Sequence, residues 1–499
     1  MYLQLIDSVI KKGKTAIMLV PEISLTPQMV NRFIARFGKE KISVLHSKLS
    51  IGERYDSWNK IKNNEANIII GARSAIFAPV NNLGIVIIDE EHDSSYKSDK
   101  TPRYNAKEIA KYLCKQNKVP LVLGSATPDI STFYKTNVGT ELIKLSKRAN
   151  NSALPKVEIV DLREELANDN KSMFSRKLYS EIEKNLKAKK QTILFLNRRG
   201  YSSFVMCRNC GYTLKCKYCN ISLTYHFNDN KLKCHYCGYE QNVVSNCPQC
   251  NSKNIKYFGT GTEKLEKEVK NFFPNATTIR MDIDTVTHKN SHESILNKFK
   301  DDNIDILIGT QMVVKGHHFP NVTLVGVIAA DSSLNIDDYR ANERTFQILT
   351  QVAGRAGREN LPGKVIIQTY NPENYSILCA KKQNYDLFYK YEINIRKQLK
   401  YPPFCDIILF NIISSDAENV KKIAKTLYIE LNKKNNNKYI LYKPVPSPIN
   451  KIKNKYRWRI ILKCKFDNNM IDIINEVLAI CYDDKKGIVL VDVNPTNMN

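Results

Sequence analysis

"LGIVIIDEEHDSSYK", residues 83–97, sets an apolar run, Leu83–Ile88, directly before Asp89, Glu90, Glu91 and His92. A strand that apolar is buried on both faces, as in a parallel sheet covered by helices. Parallel sheets gather their active groups at the carboxyl ends of strands, so these charges emerge where a ligand binds. Asp89 suits a Mg²⁺ ion bridging nucleotide phosphates, and Glu90 suits activating the attacking water.

Similar runs surround it. "TAIMLV", "ISVLH", "NIIIG" and "VPLVLG" recur between helical stretches up to about residue 148, and "QTILFL", "ATTIRM", "IDILIG", "VTLVGVIAA" and "GKVIIQTY" resume the pattern later. The expectation is two α/β lobes with parallel sheets, at 1–148 and 149–400, and a small inserted domain at 205–255. "KYPPF" then breaks the chain, and 401–499 reads as a separate α+β domain. "KKGKT", residues 11–15, resembles the end of a phosphate-binding loop, but it follows a helical pattern (Tyr2, Leu5, Ile6, Val9, Ile10) and precedes a strand. A phosphate loop needs the reverse order, so this is a helix-to-strand turn with Gly13 just past the helix.

Loops after other strands carry polar small residues: "LVPEISLTPQ" (19–28), "GARSAIFAP" (71–79) with Arg73, and "VLGSATPD" (122–129). Backbone amides, hydroxyls and an arginine there suit a nucleic-acid backbone. "QVAGRAGR", residues 351–358, sets Arg355 and Arg358 three apart, suited to charge developing on a transferred phosphoryl group from a facing lobe.

The insert carries "CRNC", "CKYC", "CHYC" and "CPQC", starting at Cys207, Cys216, Cys234 and Cys247. Eight thiols in four pairs make two closed tetrahedral zinc sites. "ISLTYHFNDNKLK" (221–233) alternates and turns at "NDN", so a hairpin brings Cys216 and Cys219 to Cys234 and Cys237, leaving Cys207 and Cys210 for Cys247 and Cys250. Sequential pairing stays open, because five residues between Cys210 and Cys216 can also close a site. Lys215, Lys217, Tyr218, Tyr225, His235, Tyr236 and Tyr239 suit contact with nucleic acid or protein, or packing around the metals.

Lys and Arg outnumber Asp and Glu by 76 to 50 over 499 residues, a net charge of +26 that favours a polyanionic partner. The N-terminus lacks the pattern of a signal peptide and no long apolar run occurs, so a cytoplasmic protein without membrane contact is expected. "NKIKNKYRWRIILKCK" (450–465) interleaves Lys451, Lys453, Lys455, Arg457 and Arg459 with Tyr456 and Trp458. That suits DNA contact, or else a strand with one solvated face.

In this order, "LVPEISLTPQ", "DEEH", "GSATP", "LNRRGYS", the paired cysteines, "GTGTEKLEKE", "ILIGTQMVVKGHHFP", "QVAGRAGR", "YPPF" and "VDVNPTNM" closely resemble the primosomal replication-restart DNA helicases of superfamily 2, the PriA (primosomal protein N-prime) family. The resemblance implies two RecA-like motor lobes, the first incomplete, and an ATP-driven, bacterial 3′-to-5′ helicase that unwinds forks. It implies the nested zinc pairing, Mg-ATP as cofactor, and forked and single-stranded DNA, primosome proteins, the replicative-helicase loader and single-strand-binding protein as partners. Asp89, Glu90, Gln351, Arg355 and Arg358 are the implied catalytic set. His92, Tyr96, Tyr104, Arg73 and Thr310 are the implied link to DNA. Because the family's N-terminal DNA-binding domain and Gly-Lys-[Ser/Thr] loop have no counterpart in the sequence, it reads as N-terminally truncated, and an ATPase-deficient, zinc-containing scaffold is the alternative function.

Overall fold

The computed structural model describes residues 1–21, 27–47, 49–145, 154–196, 204–226, 230–258, 261–282, 285, 291–301, 304–310, 313, 319–357, 363–482 and 487–498. They divide into a unit over Met1–Gly139 and a larger unit from Thr140 onward.

In the first unit, β1 (Thr15–Leu19), β2 (Ile42–Leu45), β3 (Ile68–Gly71), β4 (Leu83–Ile88) and β5 (Leu121–Leu123) form a parallel sheet in the order β2-β3-β1-β4-β5. Every residue of β1, β3 and β4 is buried, which is why those runs are continuously apolar. One core packs Ile17, Leu19, Val86 and Ile88 against the helix Ala106–Asn117. The opposite face, with Ala16, Met18, Ile85 and Ile87, receives Ile6 from the helix Tyr2–Ile10. That helix ends in a turn with Gly13 at φ +69° before β1, so "KKGKT" is the helix-to-strand turn its pattern implies.

In the second unit, β6 (Lys156–Asp161), β7 (Gln191–Phe195), β13 (Thr278–Met281), β14 (Ile306–Gly309), β15 (Val322–Val327) and β16 (Lys364–Thr369) form a second parallel sheet, ordered β13-β14-β7-β15-β16-β6. Strand β6 was not among the runs read from the sequence. Its residues past Val157 are half-buried, so it lacks the continuous apolar run of a central strand.

Between β7 and β13 lies the antiparallel insert: β8 (Phe204–Cys207), β9 (Thr224–His226), β10 (Lys231–Lys233), β11 (Glu240–Asn242) and β12 (Ile255–Phe258), ordered β11-β10-β9-β8-β12. The C-terminal domain sets β17 (Asp406–Ser414), β18 (Ile440–Leu441), β19 (Val445–Ile452), β20 (Lys455–Cys464) and β21 (Gly487–Val493) into an antiparallel sheet. Alternate residues, such as Ile408, Phe410, Ile460 and Leu462, pack against the helices Ala417–Lys433 and Asn468–Tyr482. The intervening Ile407, Leu409 and Ile461 pack against Leu214, Ile221, Leu223, Leu232 and Tyr236 of the insert. The C-terminal sheet is therefore covered on both faces.

Candidate functional site

Asp89 leaves the end of β4 with its amide donating to the Leu19 carbonyl of β1 (2.9 Å). Its carboxylate accepts from the Tyr2 hydroxyl (2.9 Å), and its carbonyl accepts from the Tyr96 hydroxyl (2.6 Å). Burial pushes the Asp89 carboxyl above its ordinary value, and the Tyr2 hydrogen bond opposes that rise. Glu90 takes φ +47°, a left-handed turn that directs the chain back toward the end of β5.

The acid run splits by environment. Glu91, 1% exposed, is a structural anchor: it accepts from the Asp129 amide (2.7 Å), Lys107 Nζ (2.9 Å) and the Thr132 hydroxyl (3.0 Å). Burial lowers the Lys107 pKa, but Glu91 and Asp129 outweigh it and hold that ammonium charged. Asp89 and Glu90 are half-buried, and Glu90 Oε2 lies 3.6 Å from His92 Nδ1.

His92 Nδ1 shares a hydrogen bond with the Ser125 hydroxyl (2.7 Å), which also accepts from the Thr127 amide (2.9 Å). The loop after β4 is thus tied to the loop after β5. Tyr96 is buried, its hydroxyl also reaching the Leu19 carbonyl (3.2 Å). Arg73 donates to the Ser95 (3.2 Å) and Lys97 carbonyls and lies over the Tyr104 ring, whose other neighbour is Phe77. Its guanidinium is engaged in holding the loop after the acidic run.

In the second unit, Thr310 is buried just beyond β14. Gln351 lies in the helix Ala341–Ala353 and Arg355 two residues past its end, both half-buried. Arg358 lies outside the described residues, as do "NRRGYS" and parts of "LVPEISLTPQ", "GTQMVVKGHH" and the "NDN" turn.

The cysteines gather as two sets, Cys207, Cys210, Cys247 and Cys250, and Cys216, Cys219, Cys234 and Cys237, with the sulfurs of each set within 4.8 Å of one another. This is the nested arrangement, made by pairing β9 with β10. Four thiols at that spacing, with no carboxylate or imidazole in either set, fit structural zinc. All four knuckles share one backbone device. The residue after each second cysteine takes positive φ (Gly211 74°, Asn220 55°, Gly238 74°, Asn251 58°) and donates its amide to the first cysteine's carbonyl at 2.8–3.0 Å. Cys-x-x-Cys-[Gly/Asn] was a sequence signal for this geometry, because glycine and asparagine tolerate the left-handed region.

Structure and sequence part at the basic strand. Lys451, Lys453 and Lys455 are exposed around a turn in which Lys453 and Asn454 have φ +48° and +60°. Trp458 packs half-buried toward the C-terminal core. Arg459, proposed above for DNA contact, is 1% exposed: its guanidinium donates to the His235 carbonyl (Nε, 2.9 Å) and to the Met498 carbonyl, pinning the insert to β20. The solvated face expected for this strand is likewise absent around Arg459 and Ile461, because the insert covers it. His235 and Tyr236 are buried too and are unavailable to a partner.

A hub beside the insert completes the anchor. The Asp338 carboxylate accepts from Arg340 (3.0 Å) and pairs with Arg344 (3.2 Å), and the Tyr339 amide donates to the Tyr236 hydroxyl (3.3 Å). Tyr339 stacks on Tyr401 (4.7 Å, 6°), whose hydroxyl donates to the Cys219 carbonyl (3.2 Å). Among the described residues, no helix is long and apolar enough to cross a membrane.

Family models match in register with these parts: DEAD/DEAH box helicase over 1–136, PriA DNA helicase Cys-rich region domain over 216–241, helicase conserved C-terminal domain over 243–360, and primosomal protein N C-terminal domain over 397–496. Similar relatives include replication restart protein PriA of Bacillus subtilis (strain 168), 48% identical over all of this chain and 62% of the relative. The protein of the same name from Synechocystis sp. is 41% identical over all of this chain and 61% of the relative. That of Treponema pallidum (strain Nichols) is 38% identical over all of this chain and 75% of the relative. The chain therefore spans less than two thirds of the first two relatives.

Proposed function

Because the chain belongs to the replication restart protein PriA family, we propose that it acts in replication restart as an ATP-dependent, 3′-to-5′ DNA helicase motor. The observation that carries this reading is the end of β4, where Asp89 and Glu90 emerge beside a His92–Ser125 hydrogen bond of 2.7 Å. That bond links an acid pair suited to nucleotide chemistry to a neighbouring hydroxyl-bearing loop, and such a link is what coupling hydrolysis to movement requires.

In this reading Asp89 would hold the metal of Mg-ATP, which when bound would supply the phosphoryl group to be cleaved. The site fits: a buried-side carboxylate at a strand's carboxyl end has one oxygen already oriented by Tyr2. Glu90 orients the attacking water and takes its proton. Gln351, Arg355 and Arg358 are the second unit's candidates for meeting the charge that would develop on the phosphoryl oxygens. His92, Tyr96, Tyr104, Arg73 and Thr310 relay DNA engagement. The two zinc ions are structural, and each holds a pair of knuckles in place. Forked and single-stranded DNA are the substrates, with primosome proteins, the replicative-helicase loader and single-strand-binding protein as partners in a bacterial cytoplasm.

One observation favours a second reading, a zinc-containing DNA-binding scaffold without ATPase activity: burial of the Asp89 carboxyl disfavours the ionised form that a metal would need. ATP turnover by this chain, with and without forked DNA, decides between them. The motor reading expects DNA-stimulated hydrolysis that Glu90→Gln lowers by roughly a hundredfold or more. DNA binding without hydrolysis by the unaltered chain establishes the scaffold.

A further inference from the structure

Residues 205–255 of the insert contain five tyrosines, and the structure sorts them sharply. Tyr236 is fully buried, while Tyr212, Tyr225 and Tyr239 are half-buried against the core shared with the C-terminal domain. Tyr218 stands apart at 64% exposed. It sits inside the knuckle Cys216–Cys219, next to one metal ligand and two residues from the other. Its ring meets Tyr239 edge-on at 5.8 Å, and the Lys217 ammonium lies over both rings, 5.0 Å from Tyr218 and 5.1 Å from Tyr239.

Charge around this platform is unevenly satisfied. Lys231 and Lys233 share Glu240 at 3.2 and 3.1 Å, and Arg208 donates to the Tyr370 hydroxyl at 2.8 Å. Lys217 is exposed and, among the described residues, pairs with no carboxylate. An exposed ring held rigid by a metal knuckle, beside an unneutralised ammonium, offers a flat face for a base and a positive charge for the adjoining phosphate. Rigidity matters because a ring already fixed loses little entropy on stacking.

We propose that Lys217, Tyr218 and Tyr239 form a stacking site for an unpaired base of single-stranded nucleic acid. The assignment rests on the DNA-motor reading and adds to it a place where one unpaired nucleotide is held. Tyr218 provides the stacking face, Tyr239 backs it, and Lys217 meets the phosphate.

The test uses the full, zinc-loaded chain and fluorescence anisotropy with oligothymidylate, compared with an abasic chain of the same number of phosphates. Zinc content confirms that each variant keeps its insert. Tyr218→Ala should weaken oligothymidylate binding on the order of tenfold, the scale of one lost base stack, while leaving the abasic chain unaffected. Tyr218→Phe keeps the ring and should bind like the parent. Lys217→Ala should lower the salt slope by about 0.7, one single-strand phosphate contact. Equal losses on both oligonucleotides, or no loss on either, overturn the stacking assignment; the latter leaves the platform to a protein partner. If the parent itself binds no oligonucleotide, the motor reading falls with it, whereas parental binding untouched by Tyr218→Ala removes the stacking site alone.

Discussion

The knuckles "CKYC" and "CHYC" of the inner zinc site are near-copies placed in opposite surroundings. Each puts a tyrosine third in the motif, and each closes with an amide on the first cysteine's carbonyl, from Asn220 at 2.9 Å and from Gly238 at 3.0 Å. Tyr218 is 64% exposed and Tyr236 is 0%. The second knuckle faces the C-terminal sheet: Arg459 binds the His235 carbonyl, and the Tyr339 amide reaches the Tyr236 hydroxyl. In the first, Cys216 and Cys219 join the same buried core, and Tyr218 points out of it. One metal motif thus supplies both an anchor and a free surface, and its chemistry does not distinguish them.

Removing the metal should erase the comparison altogether. Cys234→Ser takes a ligand from the inner site, and because zinc binding in such small modules contributes on the order of 10 kcal/mol, both knuckles should lose their structure. Metal analysis should fall from two zinc per chain to one, with new protease cleavage between residues 216 and 237.

Tyr236→Ala keeps the metal and attacks the anchor alone. Truncating a fully buried aromatic that also accepts a hydrogen bond should cost about 3–5 kcal/mol in urea unfolding.

Asp338 tests the electrostatic side of the same anchor. Burial raises its carboxyl pKa, but Arg340 and Arg344 outweigh burial and hold it below the usual carboxylate range. A depressed carboxyl contributes stability that is fully present above its unfolded value, near pH 4, and lost as pH falls toward the folded one. Asp338→Asn should therefore be less stable at pH 7, yet decline less steeply than the parent from about pH 5 to pH 2. Parallel acid limbs in parent and variant would remove Asp338 from that role.

Tyr218→Ala should be the smallest change in stability, within about 0.5 kcal/mol, because an exposed ring loses little packing. A cost equal to that of Tyr236→Ala would show that the two knuckles are equivalent after all.

Much of this was legible along the chain. Strands β1, β3 and β4 are buried on both faces, so their composition declares them, and the acid run that follows β4 is found with them. Strands β8, β11, β12, β18 and β19 were not legible. Several are two to four residues long, too short for a period to register, and β19 carries prolines at 446 and 448. The roles inside "DEEH" were only half legible: Glu91 looks like its neighbours in sequence, and only its contacts with Asp129, Lys107 and Thr132 mark it as an anchor.

By itself the sequence determined the two parallel sheets, the order of their motif loops, and which cysteines could share a metal. These depend on local composition and on spacing within one hairpin. Which basic and aromatic residues stay available to a partner was decided by tertiary structure alone. Arg459 and Lys455 belong to the same basic strand, yet one is buried beneath the insert and the other is exposed. The same holds for Tyr236 and Tyr218. Burial is a property of what packs across from a side chain, and here that partner comes from a part of the chain more than two hundred residues away, from His235 to Arg459.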